Sequence, residues 1–94
     1  MTEPARLNDH HRDTVVKILR HPTSHNVEWH AVISLLRHIG QVDERHDGKF
    51  KVTVGGETEV FEKPKHKDID EQQVVDLRRM LTAAGYVVDD RRED

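Results

Sequence analysis

The fold is decided by residues 49–62, which read KFKVTVGGETEVFE. Polar and apolar residues alternate over 49–54, which is the period of a strand with one buried face. The predicted buried face carries Phe50, Val52 and Val54. The pair Gly55-Gly56 then supplies a two-residue turn, and residues 57–62 form the returning strand. The stretch therefore predicts an antiparallel β-hairpin.

A third strand precedes this hairpin. Residues 41–45 favour a weaker strand, and residues 46–48, His-Asp-Gly, have the composition of a turn. Because short connections join neighbouring antiparallel strands, we expect a three-stranded meander. Its predicted strands are 41–45, 49–54 and 57–62.

Helical spacing is present on both sides of the meander. Over residues 27–39 the apolar residues fall at i, i+3, i+4, i+7 and i+10, with Asn26 as the expected N-cap and Gly40 as the stop. This apolar stripe consists of Trp29, Val32, Ile33, Leu36 and Ile39. A shorter helix is predicted over residues 9–20, where Pro22 stops the pattern soon afterwards.

The last helix is predicted over residues 71–84. Its apolar stripe and its stop consist of Val74, Leu77, Leu81, Ala84 and Gly85. Both Asp68 with Glu71 and Asp70 with Gln73 have the spacing of an N-cap and its reciprocal partner. The sequence therefore leaves two alternatives for the N-cap of this helix, Asp68 and Asp70.

The element order α-α-β-β-β-α predicts an α+β fold, with a three-stranded antiparallel sheet and the helices on one face. In this arrangement Phe50, Val52 and Val54 contact the apolar stripes of the helices predicted over 27–39 and 71–84. The residues expected in that contact are Trp29, Leu36, Leu77 and Leu81. The chain is expected to divide into a lead with an extra helix over 1–26, a core domain over 27–86 and a solvated charged tail over 87–94.

The composition bounds the class of protein. The 94 residues include 34% hydrophobic and 35% charged side chains, with a net charge of −3 and no cysteine. Disulfides, thiolate zinc sites and thiol nucleophiles are therefore excluded. No apolar run is long enough for a signal peptide or a membrane span. We expect one small soluble domain in the cytoplasm, without membrane attachment.

The strongest local positive charge lies in residues 63–67, which read KPKHK and are called the basic segment below. It precedes the N-terminus of the last predicted helix, where backbone N–H groups and the helix dipole favour an anion. With the open strand face it forms a candidate RNA-binding set. The set consists of Lys49, Lys51, Lys63, Lys65, His66 and Lys67. The alternative is a solvated loop whose lysines neutralise Glu57, Glu59 and Glu62.

Eight histidines raise the question of a metal site. His21 and His25 are four residues apart, but Pro22 between them prevents a shared helix face. The other histidine pairs have no third ligand at a supporting spacing. Gly55-Gly56 also lacks the lysine and the following helix of a phosphate-binding loop. Neither a metal nor a small-molecule cofactor is expected.

Three motifs accompany the order of helix, meander and helix between Trp29 and Tyr86. They are PKH at 64–66, LRRML at 77–81 and AG at 84–85. Together they resemble the HicA (YcfA-like) toxin family over roughly two thirds of the chain. The resemblance implies a fold like that of double-stranded-RNA-binding domains (dsRBD-like), ribosome-independent cleavage of mRNA, and neutralisation by a HicB antitoxin.

One motif of that family is replaced. The family's Gly-Ser-His at the start of the second strand corresponds here to Gly48-Lys49-Phe50, and a phenylalanine cannot transfer a proton. The candidate catalytic residues are then His66, which matches the family's Pro-x-His, and His46 in the neighbouring turn.

The expected function is that of an RNA-binding HicA-like toxin or toxin-derived module that lacks the family's catalytic histidine. If it is an enzyme, it is an endoribonuclease acting on mRNA. The alternative is a non-catalytic interaction module whose sheet face or edge strand binds an antitoxin-like protein.

Overall fold

The computed structural model describes residues 7–20 and 27–86, and it confirms the predicted α+β order of elements. The helices are α1 (Asp9–Leu19), α2 (Trp29–Ile39) and α3 (Glu71–Ala83). The strands are β1 (Gln41–Glu44), β2 (Lys49–Val54) and β3 (Glu57–Glu62). The features predicted outside the described residues are the first six residues of the lead predicted over 1–8, the stop at Pro22, the cap at Asn26 and the tail over 87–94.

The three strands form one antiparallel sheet with β2 in the centre. Val54 lies opposite Glu57, so Gly55-Gly56 is the two-residue turn that the sequence predicts. Gly55 has a φ of 59°, which a residue without a Cβ adopts at little steric cost. The predicted buried face of β2 is confirmed, since it consists of the buried Phe50, Val52 and Val54.

Helices and sheet bury one continuous apolar core. Helix α2 packs against β1 and β2, α3 packs against β3, and α1 packs against both other helices. Trp29 lies edge-on to Phe50, with ring centroids 5.2 Å apart and planes at 76°, which confirms that predicted contact. Val15 and Ile18 of α1 are buried in the same core, and Arg78 Nε donates to Ile18 O at 3.1 Å. Helix α1 therefore shares its core with the rest of the fold.

Helix α2 begins at Trp29, later than the sequence predicts. Val27 and Glu28 pair instead with the segment before α3. Ile69 N donates to Val27 O at 2.9 Å, and Trp29 N donates to Lys67 O at 2.7 Å. Glu28 is the N-cap, although its side chain makes no capping hydrogen bond. A long-range bridge thus determines this boundary, and local periodicity does not reveal such a bridge.

Asp70 is the N-cap of α3, which decides between the two predicted alternatives. Asp70 Oδ1 accepts a hydrogen bond from Gln73 N at 2.8 Å, and Gln73 Oε1 accepts one from Asp70 N at 3.2 Å. The other candidate, Asp68, forms the β-bridge to the N-cap of α2. After Ala83 the chain turns at Gly85, whose φ of 99° agrees with the predicted helix stop.

Gly40 ends α2 as predicted, but the physical reason is steric rather than a left-handed backbone. Its φ is −159°, which is extended. A Cβ at this position would collide with the carbonyl oxygen of Thr53 in β2. The close approach of the central strand therefore requires glycine here.

Candidate nucleic-acid interface

Three pieces of the chain meet at one end of the sheet. Lys63 N donates to Gly48 O at 3.3 Å, which places the start of the basic segment beside the β1–β2 turn. Trp29 N donates to Lys67 O at 2.7 Å, which places the other end of the segment beside the N-terminus of α2. The basic segment, the turn and the first residues of α2 therefore form one surface.

The predicted binding side chains of the basic segment are exposed. These are Lys63, Lys65, His66 and Lys67. Lys67 Nζ lies 3.9 Å from Glu28 Oε2, and both side chains are largely in solvent, at 79% and 43% exposure. Because exposed ion pairs contribute little to stability, this contact holds the lysine only weakly. The ammonium groups remain accessible to an anionic partner.

Lys49 and Lys51 lie on the outer face of the sheet, the face that points away from the helices. Lys49 is opposite Glu62, and Lys51 lies between Asp43 and Val60. Directly opposed residues of antiparallel strands project from the same face. The outer face is therefore of mixed charge, and these two lysines are the weaker part of the predicted RNA-binding set.

The alternative interpretation of the basic segment, as a partner for the acids of β3, gains no ion pair within residues 7–20 and 27–86. Glu59 is instead bound by Arg79 of α3, whose Nη2 lies 2.8 Å from Glu59 Oε2. Glu62 lies opposite Lys49 of β2. Glu59 and Glu62 thus have other cations beside them, and the lysines of the segment face solvent.

The N-terminus of α3 is a poorer anion site than the sequence predicts. The carboxylate of Asp70 already accepts the hydrogen bond from Gln73 N at 2.8 Å. Glu71 adds a second negative charge in the first turn. Since the helix dipole is neutralised by these acids, a bound phosphate would be held by the lysines rather than by the helix end.

A shallow groove places His30 and Arg37, which sequence patterns did not predict as binding residues, beside Lys63, which they did. Its floor includes the buried Trp29 and Phe50, and its rim includes His30, Arg37 and Lys63. The carboxylate of Glu44 also borders the groove. Phe50, which the resemblance to HicA toxins places at the catalytic histidine, is therefore a buried residue of the groove floor, and positively charged and imidazole side chains border it.

The groove residues of α2 carry a sequence signal that helical spacing makes visible. His30 and Arg37 are seven residues apart, so they lie on one side of α2, next to the apolar stripe. The third member, Lys63, comes from another element, and its position depends on the pairing of Lys63 with Gly48. Local spacing thus indicates only the α2 half of the groove.

The two candidate catalytic histidines lie on different loops of this surface. His46 lies in the β1–β2 turn and His66 in the basic segment, and both are exposed. Within the described part of the chain, neither imidazole has a hydrogen-bond partner that would orient it. A general base needs a fixed position relative to the proton that it removes. The arrangement is therefore suited to contacting phosphates more than to proton transfer.

A separate pair of histidine rings lies between α1 and α2. His11 and His38 have ring centroids 4.9 Å apart at 30°, and His11 Nε2 is 3.0 Å from Ser34 Oγ. Burial lowers the pKa of His11 below its ordinary value, and the nearby His38 and His10 lower it further. No group of three or more possible metal ligands occurs among residues 7–20 and 27–86.

Comparison with known proteins returns no match, whether with protein-family models, curated proteins or solved structures. The resemblance to HicA toxins consequently depends on the motifs at 64–66, 77–81 and 84–85. Among the helices of the described residues, none is long and apolar enough to cross a membrane.

Proposed function

We propose that this chain is an RNA-binding HicA-like toxin or toxin-derived module that acts in the cytoplasm on mRNA. Its binding surface combines the basic segment with the groove rim of His30 and Arg37. The observation that carries the proposal is the convergence of Lys63, Arg37 and His30 above the Trp29–Phe50 contact. Lysine and arginine groups at such a surface contact phosphates, which position a nucleic acid without reading its sequence.

The RNA that suits this surface is a duplex or hairpin. Double-stranded RNA is recognised mainly by its shape and through phosphate and 2′-hydroxyl contacts. The exposed lysines at positions 63, 65 and 67 occupy one short loop, so they can follow neighbouring phosphates. The net charge of −3 and the acids near this end limit the affinity. We therefore propose weak binding that depends strongly on salt.

Cleavage is proposed to be slow or absent. Phe50 lies where the resembled family has its histidine, and it is only 6% exposed beneath the groove. His66 and His46 remain the candidate bases, with the lysines near His66 available to stabilise charge on a phosphate. Neither imidazole is held by a partner in the described residues. Binding is therefore the primary activity in this proposal.

The test measures the affinity of the full chain for a hairpin RNA by fluorescence anisotropy. Arg37→Glu, and separately Lys65→Glu with Lys67→Glu, should each weaken binding about tenfold or more, because each reverses charge at the interface. The control is Arg12→Glu with Lys17→Glu on α1, which changes the net charge as much as the lysine pair does. Equal decreases in affinity for this control and the lysine pair would contradict the proposed interface.

The second candidate function is a non-catalytic module that binds an antitoxin-like protein, such as a HicB-like antitoxin. The observation that favours it is Val60, which is 59% exposed on the outer face of β3. A protein interface of this kind would depend on apolar and edge-strand contacts, and its affinity would change little with salt. A small HicB-like protein encoded in the adjacent reading frame would be the partner to test.

A further inference from the structure

Alternate residues of the edge strand β3 hydrogen-bond to β2 through their backbone groups. The residues between them direct their backbone N–H and C=O groups to the open edge of the sheet. Lys63 N donates to Gly48 O, and Arg45 N donates to Lys49 O. Because bonded and non-bonded pairs alternate in an antiparallel ladder, the pairs of β3 with β2 that exchange hydrogen bonds include Phe61 with Phe50. The residues that face the open edge are therefore Thr58, Val60 and Glu62.

This edge has little protection within the described residues. Strand β3 is the last strand of the sheet, so β2 is its one strand partner there. Gln73 Nε2 donates to Glu62 O at 2.8 Å, which satisfies one end of the edge. Thr58 and Val60 at its middle lie away from that bond, and Val60 is 59% exposed. An unpaired edge with an exposed valine at its centre is a template for another strand.

Charge complementarity identifies the strand that fits. When two copies of β3 pair antiparallel about a two-fold axis at Val60, the two valines lie side by side. Glu57 of each copy then lies opposite Lys63 of the other, and Thr58 lies opposite Glu62. Opposite charges across a strand pair are favourable, whereas like charges directly opposed are unfavourable. This register places no acid of β3 opposite another acid.

The two neighbouring registers that also bring the outward-facing backbone groups of the two strands together are less favourable. A two-fold axis at Glu59 would place the two Glu59 carboxylates face to face. An axis at Phe61 would place Pro64, which has no N–H, opposite Thr58. The register at Val60 is therefore the one of the three that places neither two acids nor a proline in an opposed position, and Glu62 O keeps its hydrogen bond from Gln73 Nε2.

We propose that β3 is a self-association edge, at which a second copy of this chain adds its own β3 in the register centred on Val60. The two three-stranded sheets then join into one continuous sheet across the two-fold axis. The paired segment is short, so the dimer is weak and depends on protein concentration. Lys63 belongs both to this register and to the groove rim, but the inference does not rest on RNA binding, because it is argued from the backbone groups and the register of β3.

The test is sedimentation equilibrium of the full chain over a range of protein concentrations. The wild type should show a reversible monomer–dimer equilibrium. Val60→Asp should weaken dimerisation about tenfold or more, because it opposes two carboxylates on the axis. The matched control is Val75→Asp on α3, which is 45% exposed and is the other strongly exposed valine among residues 7–20 and 27–86. This variant should leave the equilibrium unchanged.

A charge exchange tests the register itself. Glu57→Lys alone and Lys63→Glu alone should each weaken dimerisation about tenfold, because each creates like-charge pairs twice per dimer. The two changes together should restore the wild-type equilibrium. The proposal is overturned by a wild type that stays monomeric at every concentration, by Val60→Asp dimerising as the wild type does, or by a double variant that is no better than the single ones.

Discussion

Two histidine-bearing regions of this molecule differ in what surrounds the imidazole. Between α1 and α2, His11 is half-buried, lies 4.9 Å from the His38 ring and is 3.0 Å from Ser34 Oγ. At the end of the sheet, His46 and His66 are exposed and lack a hydrogen-bond partner in the described residues. Among the histidines that the structure describes, the one whose pKa is lowered therefore lies where helices pack, away from the basic segment.

The difference between the two regions separates the part that holds the fold from the part that we propose to contact RNA. Burial perturbs a titratable group because it penalises the charged form, and here the burial comes from docking α1 onto α2. At the end of the sheet, by contrast, the cationic side chains are exposed to solvent and border an apolar groove floor. Exposed cationic side chains are suited to phosphate contact, because such contact requires accessible positive charge rather than a single fixed geometry.

The largest expected effect comes from weakening the packing of α1. Ile18→Ala removes a side chain that is 0% exposed in the core shared by the three helices. The poorer packing should lower the free energy of unfolding by about 2–5 kcal/mol, a large part of the stability of so small a domain. Urea unfolding measures this change.

The control for that prediction comes from the other region. Lys65→Ala, in the exposed basic segment, should change the free energy of unfolding by less than about 0.5 kcal/mol. A cost below about 1 kcal/mol for Ile18→Ala would mean that α1 does not contribute to the core as described.

A smaller effect is expected from pH. The pKa of His11 lies below its ordinary value of 6.5 in the folded protein, so the unfolded chain binds this proton more readily. Stability from this group is therefore full above about pH 6.5, and it declines as pH falls from there toward the folded pKa. The urea midpoint measured across this range should show the decline.

Two substitutions test whether the decline in stability at low pH comes from the contact between α1 and α2. His11→Gln should remove part of the pH dependence, whereas His66→Gln should leave it as in the wild type, because His66 is exposed. The groups that face His11 are His10 on its own helix and His38 on α2. Identical pH profiles for the wild type and His11→Gln would contradict the assignment.

The smallest effect is expected for RNA cleavage. The wild type should cleave a hairpin RNA at the background rate at pH 7, and His66→Ala and His46→Ala should leave that rate unchanged. Gel analysis of the RNA, together with induced expression in a host without any antitoxin, measures this. Cleavage by the wild type that His66→Ala abolishes would show that an exposed imidazole acts as the base after all.

Sequence predicts most of the fold because its strongest signals are local. The alternation over 49–54 and Gly55-Gly56 define the hairpin, and the box of Asp70 with Gln73 begins α3. The start of α2 escapes prediction, because residues distant in the chain pair with Val27 and Glu28. Tertiary pairing of this kind has no periodicity.

The candidate site is predictable in part for the same reason. The basic segment is visible as a run of charge, whereas the groove requires Lys63 to approach Arg37 across the end of the sheet. The contact between His11 and His38 likewise depends on how α1 docks on α2. The sequence places Lys49 and Lys51 on the open face of one strand, but only the strand register shows that acidic residues of the neighbouring strands lie beside them.

The salt dependence of RNA affinity tests the central claim most directly. The logarithm of the association constant for a hairpin RNA should fall linearly with the logarithm of salt concentration, because phosphate contacts release counterions. In Lys65→Glu with Lys67→Glu, the slope should be flatter by about one unit for each phosphate that the variant no longer binds. A slope and an affinity that both stay at the wild-type values in this variant would contradict RNA binding through the basic segment.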